Sequence, residues 1–124
     1  MQPNPVWTEE AYSDAVDVFR RLSGEVTYRV WGGDWCKDCR ALLPDFAAAL
    51  EAAGVPESRI EQYPTEKRDD GTKVGPEVEE YGIEAIPTVV AERDGEELAR
   101  FVESETAPIP VYMARQLADA SATT

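Results

Sequence analysis

The stretch Gly33-Asp34-Trp35-Cys36-Lys37-Asp38-Cys39-Arg40 decides how this sequence is read, because it holds both cysteines of the chain as a Cys-x-x-Cys pair. Such a pair points to a redox dithiol if it sits where a strand feeds a helix, and to half of a metal site if a second pair exists. No second pair exists, and the chain has no histidine. A tetrahedral zinc site of thiolates and imidazoles therefore cannot be completed within one molecule. A redox dithiol is the leading reading, with no bound metal or other cofactor expected.

Working outward, Glu25 to Trp31 is rich in β-branched and aromatic residues and runs into Gly32-Gly33, which predicts a strand ending in a tight turn. Past the pair, Cys39, Leu42, Leu43, Phe46, Leu50 and Ala53 recur at helical spacing up to Gly54. Pro44 interrupts this helix without ending its apolar period, so it predicts a kink. The dithiol thus falls at a strand-to-helix junction.

Before the junction, positions 1–7 read as a Pro-rich arm, with an edge strand at Val6-Trp7 and Thr8 as the N-cap of a helix over 8–23 closed by Gly24. After it, Ser58 to Pro64 predicts a strand and Thr65 to Gly75 a charged loop. Pro76 opens a short helix ended by Gly82. Pro87 to Glu92 and Glu97 to Val102 flank an Asp94-Gly95 turn, the pattern of a β-hairpin. Pro110 starts a last helix, with 120–124 as a frayed tail. This order predicts one α/β domain over 1–124, a small mixed sheet covered by helices on both faces.

The 124 residues suffice for one buried core. The net charge of -13 combines 25 acidic residues with 12 basic ones, of which only Lys37, Lys67 and Lys73 are lysines. Self-repulsion of this size is screened by salt, so the surface suits a salt-rich cytoplasm, the plainer alternative being an ordinary acidic protein. Nucleic acid and anionic membranes are poor partners for it, since both reward Lys/Arg clusters. The N-terminus lacks the basic and apolar regions of a secretory signal and no stretch is long enough for a membrane span, so a cytoplasmic location is expected. In that compartment a disulfide between these cysteines is transient and catalytic.

With these landmarks in place, the chain resembles the thioredoxin family. Trp35-Cys36-x-x-Cys39 resembles its Trp-Cys-x-x-Cys active site and Pro44 its helix kink. Tyr81-Gly82-Ile83-Glu84-Ala85-Ile86-Pro87-Thr88 resembles the segment with the cis-proline that faces the dithiol, and Asp94-Gly95 resembles its hairpin turn. The resemblance implies a thioredoxin-like three-layer sandwich and a role in cell redox homeostasis. It also implies an oxidoreductase acting on disulfide-containing proteins or small-thiol substrates and regenerated by a reductase; a monomer is expected. The chain also departs from the family. Lys37 and Asp38 replace Gly-Pro, closer to the Trp-Cys-Pro-Asp-Cys subgroup, Val30 stands where the family carries a buried acid, and the Thr65 to Gly75 loop is longer. Arg29 is unusual in a central strand and calls for an acidic partner such as Glu61.

Only a thiolate attacks a disulfide. Cys36, at the helix N-terminus where unpaired N–H groups and the dipole favour negative charge, is expected to be the nucleophile. Cys39, one turn on, is expected to be the resolving thiol. The alternative is a pair of cysteines that merely pack. Lys37 should favour a thiolate on Cys36 by attraction and Asp38 should oppose nearby thiolates by repulsion. Asp38 is also a candidate base for Cys39, against a plain role as a helix-dipole acid. Trp35 is expected as an apolar wall beside the exposed sulfur, or as core. Pro87, if cis, would present the Ile86 backbone to an extended substrate; otherwise it is an edge-strand proline. Trp7 and Trp31 read as packing residues. The competing functions are a redox-inert thioredoxin-fold binding module and a zinc or iron-sulfur half-site shared across a homodimer.

Overall fold

In the computed structural model, residues 3–4, 7, 9–33, 36–67, 69, 72–103, 105 and 107–122 are described. The elements are α1 (Ser13–Arg21), β1 (Thr27–Gly32), α2 (Lys37–Ala52), β2 (Ile60–Pro64), β3 (Glu66–Lys67), β4 (Lys73–Val74), α3 (Val78–Tyr81), β5 (Thr88–Arg93), β6 (Glu96–Val102) and α4 (Ile109–Ala122). The main sheet has the order β2-β1-β5-β6, with β2 parallel to β1 and the other neighbours antiparallel. β3 and β4 form a separate small ribbon.

Alternation along β1 sorts its side chains between two faces. Tyr28 packs edge-on against Phe19 of α1 and Phe46 of α2, with ring centroids 5.8 and 5.7 Å away, and all three rings are fully buried. Phe101 of β6 meets Tyr112 of α4 at 5.5 Å on the same face. The apolar stripes of α1, α2 and α4 are thereby gathered into one layer. Arg29 and Trp31 face the other way. Trp31 is stacked on Tyr63 of β2 at 4.7 Å, lies 5.0 Å from Tyr81 of α3, and donates its indole N–H to the Pro76 carbonyl at 3.0 Å. The segment carrying β3, β4 and α3 forms the second, thinner layer, completing an α/β arrangement with helices on both sheet faces.

Several boundaries differ from the sequence expectations. The first helix starts as a 3-10 turn over Glu9–Tyr12 and ends at Arg21 with Leu22 as its cap, two residues before Gly24. The expected cap Thr8 and edge-strand residue Val6 lie outside the described residues. Leu22 is buried and its N–H bonds back to Val18, so packing rather than a glycine cap sets this end. The charged loop contains the β3–β4 ribbon. Pro76 lies in a turn, and α3 begins two residues later behind Glu77, whose φ of 58° is left-handed. α4 continues as helix through 120–122. The hairpin turns at Asp94 and Gly95 with φ of 54° and 82°, the two consecutive positive values of a type I′ turn.

Candidate active site

β1 delivers the chain to the dithiol, and α2 takes it away. The Cys36 N–H bonds to the Gly33 carbonyl at 3.1 Å, and Cys36 itself is the extended N-cap of α2, with φ -86° and ψ 114°. Its Sγ accepts the Cys39 backbone N–H at 3.2 Å, so the sulfur occupies the position a Ser or Asp oxygen takes in an ordinary helix cap. Cys36 Sγ also donates to the Ile86 carbonyl at 3.8 Å. The Ile86–Pro87 peptide is cis, and this turn is held by the Thr88 hydroxyl on the Ala85 carbonyl at 2.6 Å. Both cysteines are free thiols, 7% and 4% exposed.

Cys39 sits on the opposite side of the pair, where the carboxyl ends of β1 and β2 separate from α2. A cleft of about 470 Å³ opens there, lined by Val30, Gly32, Gly33, Cys39, Arg40, Leu43, Pro44, Gln62, Tyr63 and Pro64. Gly32 is required by closeness: a Cβ on it would lie 3.2 Å from both Cys39 Sγ and Leu43 Cδ1. Burial pushes the Cys39 thiol up to about 12, the Cys36 sulfur and the Asp38 charge add to the effect, and a backbone hydrogen bond from Gly33 opposes it. Cys39 is thus held as a protonated thiol beside an N-capping sulfur.

No family model matches the sequence, and no curated protein is significantly similar to it. Among solved structures, the chain is similar to mitochondrial thioredoxin 3 from Saccharomyces cerevisiae in its oxidized form. The two share 18% identity over 84% of this chain and 89% of that one, with a TM-score of 0.52. It is also similar to a protein of unknown function from Pseudomonas aeruginosa, with 22% identity over 89% of this chain and 71% of that one and a TM-score of 0.53. This chain has a thioredoxin-like fold.

Within that fold, the described site residues fall into two groups. Cys36, Cys39, Ile86 and the adjoining Pro87 come together, whereas Lys37 and Asp38 stand exposed on the first turn of α2. Trp35 lies outside the described residues. Val30 is 3% exposed. Arg29 does not reach Glu61, its neighbour across β1 and β2. It bonds instead through Nε to Glu92 of β5 and through a terminal nitrogen to the Tyr63 hydroxyl, with Glu77 at 3.8 Å. Glu61 is exposed, and the enclosed carboxylate of Glu92 is the stronger partner. The sequence reading missed the cleft. Its β2 wall of Gln62 and Pro64 carries no local motif, and only the Gly32-Gly33 pair hinted at a close approach. Among the described residues, no group of three or more His, Cys, Asp or Glu could hold a metal, and no helix is long and apolar enough to cross a membrane.

Proposed function

We propose that this protein is a thiol-disulfide oxidoreductase that reduces protein or low-molecular-weight disulfides through Cys36 and Cys39. One observation carries the reading: Cys36 Sγ caps α2, 3.2 Å from the Cys39 N–H, with the second thiol one turn on. A negative charge developing on Cys36 is met by that N–H and by the positive end of the helix dipole. The Cys36 thiolate attacks one sulfur of the substrate disulfide, and the other sulfur departs as a thiolate. Cys39 then loses its proton and attacks Cys36 Sγ, closing the intramolecular disulfide and expelling the second substrate thiolate.

The Ile86 carbonyl, beside Cys36, is assigned to the main chain of an extended substrate. Trp35 is assigned to the apolar wall and Lys37 to favouring the Cys36 thiolate. Asp38, exposed on the first turn of α2, is assigned the helix-dipole role of the two weighed for it. The reading includes a monomer in a salt-rich cytoplasm, regenerated by a separate reductase and carrying no cofactor beyond the dithiol.

The test is turnover of a protein disulfide with excess dithiothreitol, which Cys36→Ser should abolish; with the same substrate and no added reductant, reduced Cys39→Ser should stop at a stable mixed disulfide on Cys36. Absence of both turnover and mixed disulfide would overturn the reading. It would favour a redox-inert binding module, a role to which the near-complete burial of both sulfurs is suited. Stoichiometric zinc or iron in a purified dimer would favour the shared half-site instead.

A further inference from the structure

Resolution requires that Cys39 lose a proton, and among the described residues no carboxylate lines the cleft beside it. Val30 fills the position on β1 with an apolar side chain. Among the described residues, the titratable groups around Cys39 are Cys36 and Asp38 on its own turn of α2, Arg40 at the cleft and Tyr63 on β2. The Tyr63 hydroxyl is taken up by Arg29 on the far face of the sheet. Asp38 is exposed and acts on Cys39 by repulsion, and it does not line the cleft.

The cleft is suited to water. Pro44 has no N–H, so it leaves the Arg40 carbonyl without its i+4 donor, and both residues are in the cleft wall. A buried water needs two to four polar partners. Arg40, Gln62 and Cys39 all border this one cleft. Gly32, lacking a Cβ, leaves room beside the Cys39 sulfur that a side chain would crowd.

We propose that the cleft between β1, β2 and α2 is the proton exit of Cys39, through which water or a small solvent base, rather than a protein carboxylate, deprotonates the resolving thiol. The step balances. The base takes the proton from Cys39 Sγ, whose electron pair forms the new bond to Cys36 Sγ; the bond from Cys36 to the substrate sulfur breaks, and that sulfur leaves as a thiolate. The dithiol is oxidised by two electrons, and the substrate disulfide is reduced by two. This inference rests on the redox reading above and specifies its second half-reaction.

The reaction of the reduced protein with dithiobis-nitrobenzoate separates the two steps, since each releases one coloured thiolate: the first when Cys36 attacks, the second when Cys39 resolves. In the wild-type protein the second phase should quicken in proportion to added imidazole at fixed pH and ionic strength. It should also rise about tenfold per pH unit through the neutral range, without a carboxylate plateau. Gln62→Trp, which closes the mouth of the cleft, should slow the second phase at least roughly tenfold and remove the imidazole effect while leaving the first phase unchanged. Asp38→Asn should alter the second phase by less than about twofold.

A second phase indifferent to imidazole in the wild-type protein would overturn the proposal without need of any variant. A second phase abolished by Asp38→Asn would overturn it in favour of Asp38 as the base. Release of no second thiolate at all would instead overturn the redox reading itself.

Discussion

Cys39 and Tyr28 are both buried groups held in their neutral forms, with opposite consequences. Cys39, raised to about 12, should be nearly inert to alkylation at neutral pH in a Cys36→Ser variant. Its rate should climb about tenfold per pH unit and keep rising past pH 9, because burial persists in the variant and the thiolate alone reacts. A plateau near pH 8 would show that Cys39 ionises freely. The same shift bears on stability. A folded value above the unfolded one favours the reduced fold below pH 9, and that contribution is lost as pH rises from 9 towards 12. Tyr28 is fully buried, and its hydroxyl has no hydrogen-bond partner among the described residues. An unpaired buried hydroxyl costs free energy, so Tyr28→Phe should raise stability by about 1 kcal/mol in urea unfolding. A loss of similar size would mean that the hydroxyl is satisfied by water.

Among the elements, α2 joins the dithiol to the core: its N-cap is Cys36, Pro44 within it borders the cleft, and Phe46 on its buried side locks it to α1 and β1. Phe46→Ala should cost about 4 kcal/mol, by lost burial and the cavity it leaves. On the other sheet face, Arg29 of β1 ties Glu92 of β5 to Tyr63 of β2, while the Tyr81 hydroxyl of α3 donates to both Glu92 oxygens at 2.9 and 3.0 Å. With Glu92 removed, a half-buried guanidinium and a phenol lose their acceptor. Glu92→Leu should therefore cost about 2–3 kcal/mol, and the double change Arg29→Leu with Glu92→Leu should cost less than that single one. Denaturant midpoints for the two variants decide the point; equal or additive losses would show that the groups are uncoupled.

For the whole molecule, charge is the dominant property. Twenty-five acidic residues against 12 basic ones leave a net -13 on 124 residues. Such a surface repels itself, and salt relieves the repulsion within a Debye length of about 10 Å at 0.1 M and 3 Å at 1 M. The unfolding temperature should rise between 0.1 and 2 M KCl. A flat or falling midpoint would show that surface repulsion contributes little to the stability of this fold.

The residues of the chain determine by themselves the strand-to-helix junction, the Cys-x-x-Cys spacing, the helix that continues through Pro44 and the hairpin at Asp94-Gly95. Each of these is local: a periodicity, a ring without an N–H, or a turn that demands positive φ. Tertiary structure alone decides the partner of Arg29 and the cleft behind Cys39. Glu92 and Glu61 are equally acidic in sequence, and only burial and the facing of β5 select between them. The cleft draws its walls from β1, α2 and β2, whose side chains meet only after the parallel crossover has formed. The burial that pushes Cys39 upward comes from the same closure, because desolvation belongs to a packed environment and not to a residue type.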